Sequence, residues 1–149
     1  MTEDKKIAIG ADHAGFELKE KIKLFLSEIG YEVIDFGTNS TDSVDYPLIA
    51  KSLATSVASK NPQKGILICG TGIGMSIAAN KIKGIIAAHC CDAETAKLAR
   101  LHNNSNILTI GGRTTELGLA KEIVKAWLET DFEGGRHQRR IQEIRDLEK

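Results

Sequence analysis

Five short runs of β-branched and apolar residues recur along the chain, separated by longer stretches whose apolar residues return at helical spacing. The runs are Lys6–Ala11 (KIAIGA), 32–36 (EVIDF), Gly65–Cys69 (GILIC), 85–89 (IIAAH) and 107–110 (ILTI). Between the first two, Leu18, Ile22, Phe25, Leu26 and Ile29 mark a helix over 16–29. Pro47 suits the first turn of a second helix, with Leu53, Ala54 and Val57 on one face. A Gly-rich loop and helix fill 70–81, a fourth helix 93–102, and a fifth, 117–128, closes the unit. The uninterrupted GILIC run is of the kind a parallel sheet buries on both faces. Strand–helix alternation of this kind predicts an α/β fold: a Rossmann-like three-layer sandwich with a five-stranded parallel sheet and right-handed crossovers.

No linker interrupts the pattern, and 149 residues suit one domain spanning 1–149. Past Trp127 the composition changes. A turn is expected over 131–135, then a basic helical tail over 136–149 with Ile141, Ile144 and Leu147 along one stripe. In that tail five Lys and Arg face three Asp and Glu. A short amphipathic tail after a complete α/β unit is suited to packing on a partner subunit, so a homodimer is expected.

The 20 Lys and Arg of the whole chain balance its 20 Asp and Glu. A chain of zero net charge has no global field to gather nucleic acid or an anionic membrane, so neither is an expected partner. Any anion site must be built locally. The N-terminus lacks an apolar leader, and no apolar run approaches the about 18–20 residues that cross a bilayer, so a soluble, cytoplasmic protein is expected. Three cysteines, two of them adjacent at Cys90-Cys91, fit a reducing compartment. Neither C-x-x-C nor H-x-x-x-H spacing occurs, so no metal and no cofactor are expected.

In parallel α/β sheets ligands bind beyond the carboxyl ends of the strands. After the first strand, Gly10-Ala11-Asp12-His13-Ala14-Gly15 puts a carboxylate and an imidazole at a helix N-terminus. Asp12 either caps that helix or meets a ligand. After the third strand, Cys69-Gly70-Thr71-Gly72-Ile73-Gly74-Met75-Ser76 alternates glycines so that backbone N–H groups converge on an anion. Met75 stands where a dinucleotide fingerprint needs Gly, and no Lys-Ser/Thr pair makes a P-loop. Such a nest suits a charge that develops during a reaction, such as an enediolate oxygen. Cys69 is then either a base favoured as thiolate near the nest or a small buried apolar residue. Cys90 and Cys91 read as packing residues, and His89 as a core or ligand-neutral histidine. His102, before Asn103, either satisfies a helix C-terminus or transfers protons on a substrate oxygen. Arg136 and Arg140, four residues apart, share a helix face on which two guanidiniums can fork a phosphate, and Arg113 could add a third. Arg139 points away from that face and reads as solvated charge.

From Ile7 to about Ile144 the chain resembles the ribose-5-phosphate isomerase B family, within the group that also holds the galactose-6-phosphate isomerase subunits. The resemblance is carried by residues 10–19 (GADHAGFELK), 44–47 (VDYP), 68–81 (ICGTGIGMSIAANK), His102-Asn103 and 134–140 (GGRHQRR). It implies that Cys69 moves a proton between C1 and C2 of an open-chain sugar phosphate. The amides of Gly70, Thr71, Gly72, Ile73 and Gly74 would stabilise the enediolate, and Thr71 would shuttle the hydroxyl proton. His102 would open the furanose ring, Asp12 and Asn103 would hold hydroxyls, and His13, Arg113, Arg136 and Arg140 would hold the phosphate. It further implies a site shared between two subunits, with the His102-Asn103 loop supplied by the neighbour, and two dimers can associate further. One departure is Ile86, where many members carry Arg. The expected reaction is ribose 5-phosphate to ribulose 5-phosphate without a metal. The alternatives are a six-carbon substrate, allose or galactose 6-phosphate, or a non-catalytic sugar-phosphate-binding module.

Overall fold

Side chains alternate between the two faces of a strand, and in this chain both sets are apolar, so the sheet must be covered twice. The computed structural model, which describes residues 5–148, has five parallel strands: β1 (Lys6–Ala11), β2 (Glu32–Asp35), β3 (Gly65–Cys69), β4 (Ala87–His89) and β5 (Ile107–Gly111). Their order across the sheet is β2-β1-β3-β5-β4. The helices are α1 (Phe16–Glu28), α2 (Tyr46–Ala58), α3 (Ile73–Ala79), α4 (Ala93–Leu101), α5 (Leu117–Glu129) and α6 (Arg136–Asp146). Ile7 and Ile9 of β1, Ile66 and Ile68 of β3, and Leu108 and Ile110 of β5 pack with Ile22, Leu26, Ile123 and Trp127 beneath α1, α4 and α5. The intervening Ala8, Leu67, Cys69 and Ile107 pack with Leu53, Val57 and Met75 beneath α2 and α3. The predicted α/β sandwich is therefore the observed one.

Side-chain amides account for one difference. β4 begins at Ala87 rather than at residue 85 because Asn106 Oδ1 takes the Ile86 N–H (2.9 Å), while Asn80 accepts from Ala87 N (2.8 Å) and donates to its carbonyl (3.0 Å). Within 70–81 the loop gives way to α3 at Ile73, where Gly72, with φ +85°, turns the chain. Residues 131–135 form no compact turn. They run as an irregular strap past the C-terminal end of α4, held where Leu101 O accepts from Glu133 N (3.1 Å) and Thr130 O accepts from Arg100 Nε (3.1 Å). Of the tail's apolar stripe only Ile141 is buried within the chain; Ile144 is 42% exposed and Leu147 82%. Those two, with Ile85 and the departing residue Ile86, line a cleft beside α3. Lys149 lies outside the described residues. The loop after α4 is fixed by Trp127, whose Nε1–H donates to Ser105 Oγ at 2.8 Å.

One polar network is centred on a buried cation. Lys19 of α1 has no exposed surface, and its ammonium meets Asp35 at 2.7 Å and Glu20 at 2.9 Å; Lys23 also reaches Asp35 at 2.7 Å. Burial pushes the Asp35 carboxyl upward, but hydrogen bonds from Lys19, Lys23 and the Gly37 N–H outweigh it and hold the group below the usual carboxylate range. Asp35→Asn leaves the buried Lys19 ammonium with only the half-exposed Glu20, which costs about 1–3 kcal/mol in urea unfolding at neutral pH. The folded carboxyl titrates below its unfolded value, so its contribution is complete above the ordinary carboxylate range and disappears as pH falls through the folded value. Wild type and variant therefore converge in acid. A stability gap independent of pH would refute this account.

Candidate active site

The carboxyl ends of β1, β3 and β5 meet, because β3 lies between the other two. At the tip of β1, Asp12 is buried, and its Oδ1 accepts from Ala14 N (2.9 Å) and Gly15 N (3.1 Å). Those bonds close the turn that precedes α1; the helix N-cap is Gly15 and no side chain caps it, so the capping role weighed for Asp12 is not seen, and only one carboxylate oxygen is engaged. His13 is half-buried, and its Nδ1 accepts from Val44 N at 3.2 Å. An amide nitrogen can only donate, so this bond puts the imidazole proton on Nε2.

Cys69 is the last residue of β3, buried on the α2–α3 face. Its carbonyl accepts from Gly112 N at 2.7 Å, and the Gly70 carbonyl from Arg113 N at 3.0 Å, so the β3 and β5 tips are laced together. The Arg113 side chain folds back over this turn: a Cβ on Gly70 would stand 3.6 Å from its Nη1. Thr71 is exposed, and its Oγ1 accepts from Ile73 N at 3.2 Å, leaving the hydroxyl proton free to point elsewhere. Two rings wall the loop. A Cβ on Gly72 would meet the His89 ring at 2.7 Å, and one on Gly74 would meet the Tyr46 ring at 2.5 Å. Gly72, with φ +85° and the Ile110 backbone within 2.8 Å of such a Cβ, admits only glycine, whereas a side chain at Gly74 would have to displace the Tyr46 ring.

Of the two readings of His89, the core one is not borne out. His89 lies half-buried against the nest, with Nδ1 3.2 Å from Thr109 Oγ1 and Nε2 3.6 Å from Cys91 Sγ. Cys91 is exposed and does not pack, also against expectation. Cys90 does pack, and burial pushes its thiol up to about 11. Tyr46 was signalled only by its place in the VDYP block.

The remaining candidates lie elsewhere. His102 caps the C-terminus of α4, and the following segment enters β5 at Ile107, where Asn106 O accepts from Gly65 N (3.0 Å). That is the amino end of the sheet. Gly65 pairs with Ile107 and Cys69 with Gly111, so four residues of strand, about 13 Å, separate the two levels. Asn103, Arg136 and Arg140 belong to the same end and are exposed, as is Arg139. There the His102 ring stacks on that of His137, centroids 4.2 Å apart and planes 15° from parallel. Among the described residues His102, Glu133 and His137 form the one group with the donor set for a metal ion. The candidate residues thus fall into two groups at opposite ends of the sheet: Asp12, His13, Cys69, the Gly70–Gly74 loop and Arg113 at one, and His102, Asn103, Arg136 and Arg140 at the other. No helix among the described residues is long and apolar enough to cross a membrane.

Residues 7–144 match the family described as Ribose/Galactose Isomerase. The chain is 52% identical over 144 residues to ribose-5-phosphate isomerase B of Escherichia coli (strain K12), covering 97% of each. Its fold matches that of ribose-5-phosphate isomerase B from Clostridium thermocellum with a TM-score of 0.95 at 50% identity, covering 96% of this chain and 97% of the other. It also matches the Mycoplasma genitalium ribose-5-phosphate isomerase B solved with bound ribulose-5-phosphate, at a TM-score of 0.92 and 43% identity, covering 96% and 95%.

Proposed function

Since the chain belongs to the ribose/galactose isomerase family and is an isomerase, we propose that it interconverts D-ribose 5-phosphate and D-ribulose 5-phosphate through an enediolate, with Cys69 as base and no metal ion. The observation that carries this reading is the position of Cys69, which ends β3 and leads directly into the glycine loop. The first N–H groups of a helix have no intrahelical partner, and α3 begins at Ile73, so donors lie beside the thiol. A thiolate there takes the C2 proton while those donors meet the charge that develops on the carbonyl oxygen. The unengaged Thr71 hydroxyl proton suits transfer between O1 and O2. His13, with Nε2–H available, and Arg113 offer donors to the phosphate, and the second oxygen of Asp12 can accept from a sugar hydroxyl.

Opening of the furanose ring falls to His102, with Asn103 holding a hydroxyl and Arg136 and Arg140 completing the phosphate site. Those residues sit at the far end of the same sheet, which supports a site completed by a second copy of the chain. Two exposed apolar surfaces fit such packing: Ile73 and Ile77 of α3 beside the nest, and Ile144 and Leu147 at the other end. The isomerase is expected to keep full activity on ribose 5-phosphate in EDTA. Loss of turnover restored by a divalent ion would overturn the metal-independent reading. Comparing kcat/KM on five- and six-carbon phosphates tests the alternative substrates, and binding without turnover would mark a non-catalytic module.

A further inference from the structure

We propose that His102, Glu133 and His137 form a site for a divalent ion of the zinc class, and that the ion inhibits the enzyme by occupying the His102 imidazole. The inhibitory part rests on the ring-opening role proposed for His102; the site itself does not. One ligand atom from each residue lies within 4.8 Å of the other two. His137 is 7% exposed, and its Nε2 is buried without a hydrogen-bond partner. Glu133 Oε1 stands 3.2 Å away but off the hydrogen-bonding direction of the ring. Zinc–nitrogen and zinc–oxygen bonds of about 2.0–2.2 Å put tetrahedral ligand atoms about 3.3 Å apart, so this pair already has the spacing of two ligands on one ion. An unpaired buried imidazole nitrogen is costly, and a bound cation satisfies it.

The backbone holds all three residues in place. His102 N–H bonds Leu98 O (2.9 Å), Glu133 N–H bonds Leu101 O (3.1 Å) and His137 N–H bonds Gly134 O (3.1 Å). Stacked rings point their lone pairs side by side, so capture of the ion requires His102 to tilt out of the stack toward the Glu133–His137 pair. Two imidazoles and one carboxylate leave a fourth position for water. Glu133 supplies the negative charge that offsets the neighbouring Arg136. Coordination consumes the His102 lone pair, and the imidazole then no longer exchanges a proton with the ring oxygen.

The test uses the full-length protein stripped with EDTA and dialysed. Addition of Co²⁺ should produce the intense visible d–d bands of a four-coordinate centre, and Zn²⁺ should displace them. Glu133 is largely exposed, so Glu133→Gln should fold normally; it should weaken Co²⁺ binding at least about tenfold, the scale for losing support at a metal site. His137→Asn should do the same. Zn²⁺ should inhibit wild-type turnover, EDTA should reverse that, and Glu133→Gln should need at least about tenfold more Zn²⁺ for equal inhibition. Absence of the bands, or wild-type affinity in both variants, would overturn the site. Co²⁺ bound with variant-sensitive affinity but without inhibition would keep the site and overturn the role given to His102.

Discussion

Cys69→Ala should lower turnover of ribose 5-phosphate by about 10²–10⁴-fold, the usual share of a positioned general base, while substrate affinity changes little. The thiol lies at the inner edge of the nest and is absent from the groups offered to the phosphate, so its removal strikes the proton transfer and spares binding. The decisive measurement is exchange of the C2 proton in D₂O, followed by NMR, because it reports abstraction even when product does not accumulate. Wild-type exchange in the variant would remove Cys69 from the chemistry. The same side chain packs in the core beside Leu67 and Met75. Truncation there costs stability on the order of 1 kcal/mol, so the variant's thermal melt must be recorded beside its kinetics.

The second large effect is a gain. Cys69→Ala and His102→Ala should each be nearly inactive alone, yet their mixture, after unfolding and refolding together, should recover about a quarter of wild-type turnover. In the proposed two-fold symmetric dimer each site would take Cys69 from one subunit and His102 from the other. A mixed dimer therefore contains one intact site and one that is doubly impaired. Random association makes about half of the dimers mixed, and one working site of two in those gives about a quarter. A site assembled within one chain predicts no recovery at all, so activity at background level would refute the shared arrangement.

The strand tips were readable in the sequence because a parallel sheet imposes both an apolar run and a place for loops to converge. GILIC followed by alternating glycine marks the nest in the sequence itself. What escaped depends on lateral order. His89 reads as a core or ligand-neutral residue along its own strand; its approach to Gly72 depends on the lateral order of the strands, in which β5 lies between β3 and β4. The start of β4 was misplaced for a related reason, since Asn80 and Asn106 satisfy backbone groups that a strand would otherwise use. Ile144 and Leu147 follow helical spacing faithfully, but spacing says only that a face is apolar, and in the single chain that face stays in solvent. The histidine–glutamate group was invisible to motif spacing because its members come from the end of α4, the strap and α6.

The Trp127–Ser105 hydrogen bond carries a practical consequence. Tryptophan occurs once in this chain, and its indole is fully buried against the segment that follows His102 and Asn103. The protein thus contains its own optical reporter. Its emission should sit to the blue while that segment is seated and shift red when the segment lifts. Steady-state fluorescence, needing no label or added dye, therefore reads the packing of the loop separately from the integrity of the nest at the other end of the sheet.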